Sequence, residues 1–238
     1  MNKIADDAYT HKVVICGDTA EFYEYQFPIP FNRPRDTDIK KRERKGDTKR
    51  MDNLFRARQN VRRIIWCNIT PNSKFLTLTT KDTILDVVEF KKMLTNFFRQ
   101  MKRYGYPLKY LYVLERQLER GMKEGNEGSL HAHIVVFNDE KIPLDVLNKA
   151  WHYGRSEIKV INGLRVENNE RVRDIGAYIC KYITKESELE FGSRCYNCSV
   201  GLKRPKEVRI HGYKMENSFY VPSERQELYD TAKELLDL

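Results

Sequence analysis

Leu130, Ala132, Ile134 and Val136 occupy every second position of one short β-prone segment, and His131 and His133 fall between them. Side chains two apart in a strand leave on the same face. The spacing therefore predicts a strand over 130–137 with one apolar face and one face carrying both imidazoles. A second β-prone run, Lys109 to Glu115, precedes it across a gap rich in glycine and charge that holds Gly121, Gly125 and Gly128. The two runs read as an antiparallel hairpin with a long loop.

Other elements fall into place around this hairpin. Phe75 to Thr80 alternates and reads as a strand. A helix follows it, with Asp82 or Thr83 as cap, Leu85, Val88, Leu94, Phe97, Phe98 and Met101 as apolar stripe, and Gly105 as terminator. Pro143 begins a short helix through Trp151. Arg155 to Ile161 reads as a strand, Arg171 to Lys185 as a helix, Lys206 to Tyr213 as a last strand and Ser223 to Leu236 as a final helix. Upstream, Val13 to Cys16 fits a short strand and Tyr23 to Phe31 an extended segment. Asp52 to Ile65 fits a basic helix with Leu54, Phe55, Val61 and Ile64 as a partial apolar stripe. The order predicts an α+β sandwich, with helices over a mostly antiparallel sheet. Trp66 and Trp151 read as core anchors rather than base-stacking platforms.

Charge divides the chain. Arg33 to Arg63 holds thirteen Lys/Arg against five Asp/Glu, whereas the remaining positions are nearly balanced. Such a segment favours a polyanion, nucleic acid before an anionic membrane. We therefore expect residues 1–70 to form a basic N-terminal arm or extension and 71–238 the main domain. The expected DNA contacts are Arg33, Arg35, Lys40, Lys41, Arg42, Arg44, Lys45, Lys49 and Arg50, with Lys203 and Arg204 in a compact basic loop. No stretch approaches ~20 consecutive apolar residues, and the first residues lack an apolar signal region, so a cytoplasmic protein is expected. The five cysteines then read as reduced thiols. Cys195 and Cys198 form half a zinc pattern, which Cys67 and Cys180 could complete only if the fold brings them together; small core residues are the simpler reading.

Two constellations carry chemistry. Glu115 ends the strand paired with 130–137, beside His131 and His133. One carboxylate and two imidazoles leave open positions for water or a phosphate oxygen and suit Mg²⁺ or Mn²⁺. On the helix over 171–185, Tyr178 and Tyr182 share one face, as do Lys181 and Lys185, while Ile175, Ile179 and Ile183 mark an apolar face. A tyrosine is a weak nucleophile near neutral pH, and nearby lysines would favour its phenolate. A histidine-triad hydrolase would need a third alternating histidine, but position 135 is Val135.

Three segments, in order, resemble the motifs of HUH-superfamily rolling-circle replication initiators. Phe75 to Thr80 is similar to the first motif and His131-Ala132-His133 to the second, with Glu115 at the place of an upstream third ligand. Tyr178-x-x-Lys181-Tyr182-x-x-Lys185 resembles the third, in the doubled form of phage-type initiators. The resemblance spans residues 74–192. It implies an RRM-like or ferredoxin-like antiparallel sheet with flanking helices. It also implies metal-dependent cleavage and joining of single-stranded origin DNA by a tyrosine, through a 5′-phosphotyrosine link and a free 3′-hydroxyl. In that scheme Tyr182 attacks first and Tyr178 serves the second transfer. Ala132 is smaller than the usual middle residue of the second motif. No Gly-x-x-x-x-Gly-Lys-Ser/Thr pattern occurs, so unwinding and synthesis would fall to a host helicase and DNA polymerase. The same motifs serve transposases and relaxases, and a non-catalytic DNA-binding regulator remains the reading from another class.

Overall fold

The computed structural model describes residues 8–31, 46–116, 129–161, 175–185, 196–210, 213–215, 218–220, 230 and 232–236, with backbone alone at 46–51, 184–185, 213–215 and 218–220. The chain divides into two compact units, Gly46–Lys203 and the pair of segments Met1–Lys45 and Arg204–Leu238.

The unit Gly46–Lys203 contains α1 (Gly46–Asn68), β3 (Lys74–Thr79), α2 (Val87–Arg103), β4 (Tyr110–Arg116), β5 (Leu130–Val136), α3 (Leu144–Ala150), β6 (Ser156–Val160), α4 (Ile175–Lys185) and β7 (Tyr196–Cys198). Its sheet has the order β6-β3-β5-β4-β7, with every neighbouring pair antiparallel. β3 and β4 flank β5 and are joined through α2; β5 and β6 flank β3 and are joined through α3. These two crossovers make the ferredoxin-like βαββαβ arrangement, and β5 is a central strand. The α+β class and the antiparallel hairpin β4–β5 are as the sequence predicts.

Alternation fills both faces of the sheet. Leu76, Leu78, Tyr112, Leu114, Ala132, Ile134 and Val136 pack with Phe90, Leu94, Phe97 and Met101 of α2 and Leu147 of α3. Trp151 is buried here, and its indole N–H donates to the Thr79 carbonyl at 2.8 Å. On the other face Phe75, Leu111, Val113 and Val135 pack with Leu54, Val61, Ile64 and Ile65 of α1 and Ile175, Ile179 and Ile183 of α4. The face that carries the histidines is thus a second core, covered by two helices.

This packing moves the expected boundary. The helix assigned to an arm before residue 70 belongs to the same unit as the sheet, because its apolar stripe covers the histidine face. Helix α2 also begins later than expected. Its cap is Asp86, whose carboxylate accepts from the Val88 and Glu89 amides. Residues ahead of it are held extended: the Ile84 amide donates to Ser129 Oγ, and the Leu130 amide donates to the Ile84 carbonyl. At its other end Gly105 takes φ +87, and Gly105 and Tyr106 donate to Lys102 and Met101 in a Schellman closure. Pro143 is the N-cap of α3 rather than its first helical residue.

The second unit holds a sheet of order β2-β1-β8, from β1 (Ala8–Cys16), β2 (Thr19–Pro30) and β8 (Lys206–Ile210), all antiparallel. Val13, Ile15, Val208, Ile210 and Ala232 form its core. The last expected strand therefore ends at Ile210, and Tyr213 belongs to a separate hairpin of β9 (Tyr213–Met215) and β10 (Ser218–Tyr220). Of the expected final helix, Asp230 and residues 232–234 are helical among the described residues. No helix among the described residues is long and apolar enough to cross a membrane.

Candidate active site

Register builds the site. Across the sheet, Thr79, His131 and Glu115 stand opposite one another, and so do Thr77, His133 and Val113. Directly opposed residues share a face, so both histidines and Glu115 lie on the face covered by α1 and α4. His133 is buried, as is Glu115, and the His133 Nε2–Glu115 Oε2 distance is 2.7 Å. Thr77 Oγ1 stands 3.5 Å from the other ring nitrogen, Nδ1. His133 thus has both nitrogens in contact with groups of neighbouring strands.

Helix α4 brings the tyrosines over this row. The Tyr182 ring stacks on His133, with centroids 3.7 Å apart and planes at 16°. Phe75 lies against the same imidazole at 5.7 Å and meets Tyr178 edge-on at 5.4 Å. The Tyr182 hydroxyl donates to the Tyr178 hydroxyl at 3.1 Å. Lys181 Nζ sits 4.1 Å from the Tyr178 ring centroid and 5.0 Å from that of Tyr182. Tyr182 is only 7% exposed, whereas Tyr178 is half-buried. The docking follows from helical spacing: Ile175, Ile179 and Ile183 enter the core, which leaves Tyr178 and Tyr182 on the flank beside β3 and β5.

Of the residues expected from sequence, the structure brings together His133, Glu115, Tyr178, Tyr182 and Lys181. His131 shares their sheet face, opposite Glu115. A carboxylate and two imidazoles are a donor set that divalent cations accept. Two ligand atoms of one such ion, each about 2.1 Å from it, stand about 3 Å apart, close to the observed Glu115–His133 separation. The third donor is not gathered with them: among the described residues, no group of three or more His, Cys, Asp and Glu side chains is arranged to hold a metal ion.

The remaining expected residues lie apart or outside the described residues. Lys185 is on α4 with its backbone alone described, as are Lys49 and Arg50 on α1. Arg33, Arg35, Lys40, Lys41, Arg42, Arg44 and Lys45 lie outside the described residues, as does Cys195. Lys203 is exposed and its main chain is tied to Asn68 at the end of α1; exposed Arg204 begins the other unit. Phe75 and Thr77 are site residues that the sequence reading covers only as part of the first-motif segment Phe75 to Thr80, without a role of their own. Their signal is present, since they alternate on β3 with the same period as the histidines on β5.

Comparison with known proteins gives two matches. The sequence model of the replication-associated protein ORF2 family matches residues 73–187, just under half the chain. This span runs from the start of β3 to the end of α4 and so contains every residue of the tyrosine–histidine cluster. No functionally curated protein matches. A solved structure, the hypothetical protein ORF119 from Sulfolobus islandicus rod-shaped virus 1, is similar at 16% identity and a TM-score of 0.36. It covers 56% of this chain and 97% of its own; a likeness at that level carries no argument.

Proposed function

We propose that this chain is a replication initiator that nicks and joins single-stranded DNA through a tyrosine. The observation that carries the reading is the stack of Tyr182 on His133, with Glu115 on the same imidazole. It joins three sequence-distant groups, each suited to phosphoryl transfer, in one place. The match of residues 73–187 to a replication-associated family supports the same role.

In the proposed step, a tyrosine hydroxyl oxygen attacks the scissile phosphorus. The new bond joins that oxygen to phosphorus as the bond to the 3′ oxygen breaks. The phenolic proton ends on the released 3′ oxygen, leaving a 5′-phosphotyrosine and a primer terminus. Geometry favours Tyr178 as the first nucleophile, the reverse of the order implied by resemblance. Tyr178 is the more exposed phenol, its oxygen accepts the Tyr182 hydroxyl, and Lys181 lies closer to its ring. Tyr182 then serves the second transfer, and Lys185 is proposed to neutralise phosphate charge beside Lys181.

Glu115 and His133, with His131 as third donor, would hold Mg²⁺ or Mn²⁺. Such an ion, when bound, supplies Lewis-acid polarisation of a phosphate oxygen. The protein's own part is to orient His133 between Thr77, Glu115 and Tyr182 and to hold the two phenols within reach of one phosphate. In this reading the product enters rolling-circle replication of a phage, plasmid or virus-like element, with helicase and polymerase from the host. The test is incubation with single-stranded DNA and Mn²⁺ followed by a denaturing gel: covalent attachment supports the reading, and non-covalent binding alone counts against it.

A further inference from the structure

Helix α1 contributes more than apolar cover. Between Gly46 and Asn68 it carries six Lys/Arg and two Asp. Its buried stripe runs through Leu54, Val61, Ile64 and Ile65. A second stripe, outside the core, runs through Phe55, Arg58, Arg62 and Trp66, spaced three or four residues apart and so on neighbouring positions of one side of the helix. Phe55 is 67% exposed, an unusual placement for an aromatic ring, and the other three are half-buried. The Arg62 guanidinium lies over the Trp66 ring at 4.7 Å. Arg58 Nε is shielded from solvent and has no hydrogen-bond partner among the described residues. The Arg58 carbonyl accepts the Cys180 thiol at 3.3 Å, which fixes this part of α1 against α4. At the far end, Asn68 holds the main chain of exposed Lys203 through two bonds of 2.9 Å.

Cations interleaved with accessible rings are what a single strand needs. Guanidinium groups meet phosphates, and rings stack on bases that a duplex would hide. We propose that the Phe55–Arg58–Arg62–Trp66 side of α1, continued by Lys203, is a stacking track for single-stranded DNA. Its purpose rests on the reading of the tyrosine site as DNA-cleaving: the track holds the strand while α4, packed beside it, presents the tyrosines.

Trp66 makes the test direct. The chain has two tryptophans, and the other, Trp151, is 1% exposed. An oligothymidylate of about twenty nucleotides, titrated into the full-length protein, quenches tryptophan emission. Trp66→Phe removes that quench and leaves the emission of Trp151 insensitive to the oligonucleotide. Phe55→Ala with Arg62→Gln weakens binding at least about tenfold and lowers the log–log salt slope by about 0.7. Since Phe55 is exposed, Phe55→Ala alone keeps the wild-type melting curve and still weakens binding.

A quench that persists in Trp66→Phe, unaltered affinity in the Phe55→Ala, Arg62→Gln variant, or tighter binding of a duplex of equal length each overturns the track. Covalent adduct is read in parallel, on single-stranded origin DNA with Mn²⁺. Adduct without Trp66 quenching overturns the track and leaves the tyrosine reading standing. Quenching without adduct supports the track and counts against the tyrosine reading.

Discussion

The phenol ring of Tyr182 lies on the imidazole of His133, at a centroid distance of 3.7 Å and an interplanar angle of 16°. Stacking of this kind fixes the plane of a ring as well as its position. His133 is therefore oriented from above by α4 and from the side by Glu115 on β4. The proposed nucleophilic helix and the proposed metal-binding strand are one mechanical unit.

This coupling predicts distinct effects of two substitutions at one position. Tyr182→Phe keeps the stack and removes the hydroxyl, so Mn²⁺ affinity stays near wild type while the second strand transfer is lost. Tyr182→Ala removes the stack as well, and Mn²⁺ affinity falls. Calorimetric titration of both variants checks this; equal affinity in the two would detach Tyr182 from the orientation of His133.

His133→Ala removes a proposed donor and the stacking partner together. Its Mn²⁺ affinity should fall at least about tenfold, with cleavage lost and binding of single-stranded DNA nearly retained. Glu115→Ala should weaken Mn²⁺ more mildly. Unchanged calorimetric affinity in His133→Ala would remove the metal role from this residue.

Gly154 lets the turn after α3 lie directly against the end of the strand that carries Thr77. A Cβ at this position would collide with the Thr79 carbonyl oxygen and lie 2.7 Å from both Lys81 N and Thr80 C, all of them backbone. Backbone cannot swing aside as a flexible side chain can. Gly154→Ala is expected to cost about 2–3 kcal/mol, read as a lower melting temperature. A wild-type melt would show that the turn after α3 relaxes freely.

His11 gives the smaller unit a pH dependence. It is buried in β1, and burial lowers its pKa; Glu24, opposite it in register, offsets this only in part. The folded state therefore holds the proton less well than the unfolded chain, whose histidine titrates near about 6.5. Stability of the β2-β1-β8 sheet is fully present above that value. It is lost as the pH falls from there through the lower folded pKa. Hydrogen-exchange protection of Val13 and Ile15 should drop between about pH 7.5 and about pH 5 in the native chain and much less in His11→Phe. Equal loss in both would place the acid sensitivity elsewhere.

Local pattern carries much of the main sheet. β3, β4 and β5 can be read from alternation, and the hairpin reading already sets Glu115 beside the histidines. Helix α1 is legible from Leu54, Val61 and Ile64, but its partner is not. Those residues bury against Val113 and Ile179, far along the chain, and no local period announces such a contact. The same holds for β1, whose neighbour β8 lies beyond Lys203 at the other end of the sequence. At the site, the pairing of histidines and carboxylate follows from strand spacing. The stack of Tyr182 on His133 does not, because it depends on how α4 docks. Asp86, and neither Asp82 nor Thr83, caps α2 because Ile84 is committed to Ser129 and Leu130, a tertiary choice that propensity cannot anticipate.

The most direct measurement is the identity of the residue that carries DNA. Single-stranded origin DNA is incubated with Mn²⁺ and the protein, the adduct is isolated on a denaturing gel, and its tryptic peptides are sequenced by mass spectrometry. The account predicts a nucleotide on the Tyr178 hydroxyl after one turnover, loss of this adduct in Tyr178→Phe, and its persistence in Tyr182→Phe. An adduct that persists when both tyrosines are Phe, or a nucleotide attached outside 178–182, would contradict it.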